Sequence, residues 1–125
     1  MRLKVCVFEQ PHGAVISAGG ALTATTLYEL ESVLMIQLAL GPGRLVLDLS
    51  PLHVCDSTGA ALLIAAANAG RDSGVSVVLA APPAAVLRVL DVTGVLGTVP
   101  VYRTVSGAER QDTVEVIDAG GRPVG

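Results

Sequence analysis

"LVLDLSPLHVCDSTGAALLIAA", residues 45–66, holds the pattern from which the rest of the chain is read. It follows Arg44 as an almost continuous apolar run, 44–50, of the kind a strand buried on both faces of a sheet requires. It closes as an alanine-rich segment, expected to be helical to about residue 70, whose small side chains let a helix lie close to a sheet. Between the two stands the corner Asp56-Ser57-Thr58-Gly59, an acid, two hydroxyls and a glycine where sheet gives way to helix. Asp56 or Ser57 can cap that helix, because a side-chain oxygen there accepts from free backbone N–H groups of the first turn. A nucleophile, a metal site or a modification site would present the same residue types, so the surrounding sequence has to choose.

Downstream, "GVSVVLAA" (74–81) reads as another buried strand. Pro82-Pro83 opens a short helix, proline being tolerated in a first turn, with Val86, Leu87 and Leu90 facing inward and Gly94 ending it. A last short strand is expected over 98–102 and a short helix over 104–110. Upstream, Leu3, Val5 and Val7 alternate with Lys4, Cys6 and Phe8 to mark a first strand. The turn chemistry of "QPHG" (10–13) leads to a second strand, "AVISAGG" (14–20), which the paired glycines are expected to end, giving a hairpin. Thr26 and Glu29 have the spacing of a capping box. Leu27, Leu30, Leu34 and Leu38 then recur at helical steps until Gly41-Pro42-Gly43 stops the helix.

This order predicts an α/β fold: a single domain with a mixed, mostly parallel sheet of about five strands covered by helices. Sites in such sheets form beyond the carboxyl ends of strands, and the corner is expected to follow the carboxyl end of strand 44–50. The domain is expected over 1–110. Residues 111–125, with Gly and Pro at their end, are expected as a flexible tail.

Composition narrows the function. The chain has 125 residues, 51% of them hydrophobic, a net charge of −3 and a mean hydropathy of +0.64. Phe8, Tyr28 and Tyr102 are its three aromatics, so the core must be built from Val, Leu, Ile and Ala. Lys4 is the single lysine, and no basic cluster or aromatic platform suits nucleic acid. No apolar run is long enough for a membrane span, and the start lacks the form of a signal peptide, so a cytoplasmic location is expected. Cys6 and Cys55 are expected to be buried and reduced. His12, His53 and the carboxylates are scattered, so no metal or cofactor is expected.

The same elimination applies to the corner. A serine hydrolase needs a strained elbow and an adjacent base, and neither His12 nor His53 is placed to serve Ser57. The Asp-Ser-Gly of aspartic proteases is interrupted by Thr58. Asp48 has the position of a phospho-accepting aspartate, but that chemistry needs Mg²⁺ held by further carboxylates, and the first strand offers only Glu9. No glycine-rich phosphate loop with a lysine leads into a helix. What is left is Ser57 as a modified residue. A helix N-terminus tolerates a phosphate, which would add about −1.5 to −2 units of charge beside Asp56.

At this point the chain resembles a STAS domain of the anti-sigma factor antagonist family. The resemblance rests on 45–66 and on "GVSVVLAAPPAAVLRVLDVTGV" (74–95), with its proline-opened helix and its Thr93-Gly94 ending, and it extends over residues 3 to about 105. It implies a protein that is not an enzyme. Unmodified, such a protein binds an anti-sigma factor that is also a serine kinase, and a sigma factor is released for transcription. The kinase phosphorylates the residue corresponding to Ser57, and a serine phosphatase reverses this. Asp56, Ser57, Thr58, Gly59 and Thr23 would form the partner-binding surface. Three departures stand out: Gly20-Ala21-Leu22-Thr23 lacks the family's frequent acid at Thr23, Cys55 replaces a bulkier apolar residue, and Thr58 replaces a second serine. The alternative the resemblance allows is a STAS scaffold, or a subunit of a transport complex, with a non-sigma role. The residues leave open whether a nucleotide or other small molecule binds at the corner.

Overall fold

The computed structural model describes residues 2–41 and 43–118. Strand β1 (Leu3–Gln10) turns back through Pro11-His12 into β2 (Gly13–Leu22), antiparallel to it with Leu3 opposite Gly20 and Gln10 opposite Gly13. Helix α1 (Leu27–Ala39) leads to β3 (Gly43–Asp48), which is parallel to β2. Strand β4 (Leu52–Cys55) precedes helix α2 (Ser57–Ser73). Then come β5 (Val75–Ala80), α3 (Ala84–Val92), a 3₁₀ turn (Val95–Gly97), the two-residue β6 (Val101–Tyr102) and α4 (Val105–Arg110). The sheet runs β1-β2-β3-β5-β6, with β4 paired to β2, and every pairing except β1 with β2 is parallel. The expected mixed, mostly parallel α/β sheet is therefore present, with six strands among the described residues rather than five.

The extra strand corrects the expected path into the corner. Strand β3 stops at Asp48, whose Oδ1 accepts from Ser50 N at 3.0 Å, and Pro51 has no N–H with which to continue a ladder. The chain then resumes as β4 further along β2, so the corner follows β4 and not the strand 44–50. Strand β2 in turn does not end at its glycines. It continues to Leu22, with its register shifting between Gly20 and Ala21. Gly20 has φ +97°, and a Cβ there would lie 2.1 Å from the carbonyl oxygen of Arg2, so only glycine lets the strand bend between its two partners.

Strand alternation sorts the side chains onto two faces. One face carries Ile16, Leu45, Leu47, Val77, Leu79 and Val101 against Leu30 and Leu34 of α1, Leu63 and Ala67 of α2, and Val86 and Leu90 of α3. Each fully buried Leu or Val there contributes about 1.5–3 kcal/mol relative to exposure. The small residues of α2 allow close contact: a Cβ on Gly70 would lie 2.6 Å from the carbonyl oxygen of Val75. The opposite face carries Val15, Val46, Val78, Ala80 and Tyr102 beneath Ala108 of α4. That short helix touches β3, β5 and β6, and among the described residues no helix covers the face toward β1, where Phe8 is 55% exposed.

Three further expectations change. Cys55 is buried, but Cys6 lies on the open face of β1 and is only half-buried; both thiols are free. Thr26 precedes α1 but makes no side-chain cap, so the capping box with Glu29 does not form. The boundary at residue 110 also moves. Residues Thr113–Glu115 form a 3₁₀ turn, Val116 bridges Tyr102, Ile117 N donates to Val101 O at 2.7 Å, and Ile117 is buried in the main core. An apolar side chain at the sheet edge thus extends the domain to at least residue 117, while the expected tail over 119–125 lies outside the described residues.

Candidate functional site

Asp56 organises the corner. Its backbone is extended, with φ −100° and ψ −177°, the N-cap conformation, and Oδ1 accepts from Gly59 N at 2.9 Å. The same oxygen accepts from the Thr58 hydroxyl at 2.6 Å. The other, Oδ2, accepts from Ala24 N at 3.3 Å, in the turn before α1. These bonds favour the carboxylate, so the Asp56 carboxyl is held below its ordinary value near 3.8, first by the Thr58 hydroxyl and then by the Gly59 amide. Beneath it, burial pushes the Cys55 thiol up to about 11, with the charge of Asp56 adding to the effect. At that value Cys55 is a thiol and not a thiolate, an inert part of the core.

Ser57 is the first residue of α2 and is exposed, and its hydroxyl makes no hydrogen bond among the described residues. Thr58 is also exposed, but its hydroxyl is engaged by Asp56. Gly59 follows on the inner side of the corner. It is buried, and a Cβ there would sit 2.7 Å from Leu22 O and 2.8 Å from Leu22 Cγ. Its glycine lets α2 start against β2, which is reinforced by Asp56 N donating to Leu22 O at 3.2 Å. Thr23, expected at this surface, does lie beside it, half-buried in the turn tied to Asp56 through Ala24.

That turn holds what sequence reasoning missed. Thr26 Oγ1 accepts from Thr23 N at 2.9 Å and donates to Ala21 O at 2.7 Å. Thr23 Oγ1 lies 3.2 Å from Thr25 Oγ1. The three threonines in four residues were the available signal: hydroxyls so close together compete for local backbone groups and build turns. Asp48 proves to be the acceptor of the turn after β3, as its bond to Ser50 shows. His53 is exposed on β4, and His12 is at the other end of the sheet. Cavities of about 290 Å³ and 220 Å³ open there, both lined by His12 and Arg44, and corner residues 56–59 line neither. Arg44 is anchored within the fold, with Nε donating to Ala108 O at 3.0 Å and its guanidinium over the Tyr102 ring. Among the described residues no group of three His, Cys, Asp or Glu could hold a metal, and no helix is long and apolar enough to cross a membrane.

Chemically, the corner presents one free hydroxyl at the positive end of a 17-residue helix, beside a carboxylate already committed to backbone and hydroxyl donors. Among the described residues no base is bonded to that hydroxyl. It is a site that can be covered or modified.

Comparison with known proteins agrees with this geometry. The family model for the STAS domain matches residues 6–108. An anti-sigma factor antagonist from Mycobacterium paratuberculosis is 28% identical, with a TM-score of 0.76 over 87% of this chain and 92% of that one. The anti-sigma factor antagonist SpoIIAA in its unphosphorylated form, 16% identical, superposes with a TM-score of 0.69 over 86% of this chain and 95% of that one. A STAS-domain anti-sigma-factor antagonist from Planctomyces limnophilus, 20% identical, does so with 0.74 over 86% and 95%. The last two likenesses speak for the fold alone. No curated protein matches the chain. With the matched residues spanning the sheet, the corner and α1 to α3, the chain belongs to the STAS domain family.

Proposed function

We propose that this protein is an anti-sigma factor antagonist, a binding protein and not an enzyme, switched by phosphorylation of Ser57. In this reading its unmodified corner docks on an anti-sigma factor with serine kinase activity, which frees a sigma factor. A phosphate on Ser57 ends the interaction and a serine phosphatase restores it. The observation that carries the reading is the inequality of two adjacent hydroxyls: Ser57 is exposed and unbonded, whereas Thr58 is bonded to Asp56 at 2.6 Å. A kinase reaching the corner meets one available acceptor. The dianion would cost the fold little, since the start of α2 favours negative charge by a few tenths to about 1 kcal/mol. It would cost a docked partner more, because an unpaired charge buried at an interface is expensive. Asp56, Thr58 and the turn at Thr23 supply the rest of the contact surface, and Gly59 supports it from below.

The test is phosphopeptide mapping after incubation with a cognate kinase and ATP. Label is expected on Ser57, absent in Ser57→Ala and retained in Thr58→Ala. Label on Thr58, or persistent labelling of Ser57→Ala, refutes the switch. A second reading, a STAS scaffold or transport-complex subunit without a sigma partner, draws support from Thr23, where the family often carries an acid. Binding to the kinase that is unchanged between wild type and Ser57→Asp would favour it.

A further inference from the structure

Helix α1 is apolar on the side that faces away from the core. Tyr28, Met35 and Ile36 are 65%, 66% and 62% exposed, and Leu40, at the helix end, is 70% exposed. At 3.6 residues per turn, Tyr28, Ser32, Met35, Ile36, Ala39 and Leu40 form one outward stripe. Its inner margin opens into an apolar hollow of about 160 Å³ between α1 and α2, where Met35 faces Leu62, Ala65 and Ala69. Scattered exposed hydrophobics are ordinary, but a continuous stripe beside a hollow marks an interaction surface.

Charge indicates what covers it. Glu29 lies at the Ile36–Leu40 edge of the stripe and Glu31 beyond its Met35 edge, the same helical geometry placing the two glutamates about 160° apart. The last turn of α1 carries no basic residue. A second copy of this chain is therefore a poor occupant. Packed antiparallel, its Glu29 and Glu31 would meet the negative carbonyl end of the other α1; packed parallel, the glutamates would oppose each other. A membrane surface is disfavoured as well, since helices that lie on anionic lipid flank their apolar face with Lys or Arg. We propose that the α1–α2 stripe binds an amphipathic helix of another protein, whose apolar face is bordered by basic side chains. Tyr28 begins the stripe near the corner, but Met35, Ile36 and Leu40 lie toward the far end of α1, with Ile36 about 14 Å along it from Leu27, so the proposed contact is centred away from Ser57 and does not depend on its phosphorylation.

The probe is a pair of synthetic amphipathic peptides about five turns long. Both have leucine at i, i+3, i+4 and i+7; one is flanked by lysine and the other by glutamate. Isotope-labelled full-length protein is titrated with each by NMR. The lysine peptide should shift amides of α1 and of 62–69 in α2, and bind about 10-fold or more tighter than its twin, a difference of about 1.4 kcal/mol. Met35→Ser/Ile36→Ser should abolish this, and Glu29→Lys/Glu31→Lys should reverse the preference; all four side chains are outside the buried core, so the folds should survive. Ser57→Asp should leave the affinity unchanged, and the outcome does not depend on whether a kinase modifies Ser57. Equal binding of the two peptides, no binding, or shifts located elsewhere overturns the proposal. So does concentration-dependent dimerisation that protects α1, or, with no peptide present, binding of the protein through α1 to anionic phosphatidylglycerol vesicles. Loss of binding in Ser57→Asp would overturn the separateness of the two surfaces.

Discussion

Helices α1 and α2 begin side by side, and each is preceded by a residue able to cap it, yet they use that residue in opposite ways. Thr26 has αR-region angles, φ −114° and ψ −14°, and turns its hydroxyl back to Thr23 N and Ala21 O, so it closes the loop and leaves the helix start without a side-chain cap. Asp56 is extended and turns its carboxylate forward to Gly59 N and Thr58 Oγ1, with its second oxygen reaching across to Ala24 N. The same donor and acceptor chemistry builds a turn in one place and a helix start in the other, and the backbone angle decides which. Only at α2 does the arrangement leave a neighbouring hydroxyl free.

The largest expected effect tests the support beneath the second start. Gly59→Val forces a branched side chain toward Leu22 O and should cost about 3 kcal/mol, lowering Tm by on the order of 10 °C. A fall below about 2 °C would show that α2 shifts freely on β2. Asp56→Ala removes the cap and the link to Ala24 and should cost about 1–2 kcal/mol in denaturant unfolding, while Asp56→Asn, which can still cap, should cost less. Thr26→Val should cost about 1 kcal/mol, since it leaves Ala21 O and Thr23 N without their partner.

Acid separates these last two variants. The folded Asp56 carboxyl is held below its ordinary value near 3.8, so its contribution is complete above that pH and is lost as pH falls through the lower folded value. The stability gap between wild type and Asp56→Asn should therefore shrink below about pH 3.8, whereas the Thr26→Val gap, which rests on hydroxyl bonds to backbone groups, should stay level across the same range. Equal narrowing of both gaps would remove Asp56 as the cause. The smallest effect is at Glu29: with no capping box, Glu29→Ala should change stability by less than about 0.5 kcal/mol. A loss near 1 kcal/mol would restore the reciprocal cap that the Thr26 geometry denies.

Much of this was legible in the sequence because periodicity and punctuation agreed. Leu30 and Leu34 are buried where the helical spacing puts them, Pro83 and Gly94 bracket α3, and 104–110 forms a helix although its pattern is short. The residues that resisted lie where tertiary context overrides local pattern. The apolar run 44–50 reads as one strand leading straight to the corner, and only the neighbouring β2 reveals that it stops at Asp48 and that pairing resumes at Leu52. Gly19 and Gly20 carry a stop signal that the strand passes through, because the bulge is stabilised from both sides. Cys6 sits in an apolar strand, but it shares the face of Lys4 and Phe8, and it is only half-buried there. Ile117 sits in a stretch rich in turn residues, and its burial depends on the distant edge at Val101. At the corner, Asp56 and Ser57 were legible from residue type and position, while Ala24 was not, since its link to Asp56 spans about thirty residues of chain.

The bend of β2 at Gly20 has a kinetic consequence. Around it Gly20 N donates to Pro51 O, Ala21 N to Arg2 O and Asp56 N to Leu22 O, so three segments distant in sequence meet on three consecutive residues of one strand. Their partner groups are on neighbouring peptide units of β2, so an opening of the bend releases all three together. The amino terminus, the β4 segment and the start of α2 accordingly open as one cooperative unit, and amide hydrogen exchange at Gly20, Ala21 and Asp56 should follow a single opening equilibrium.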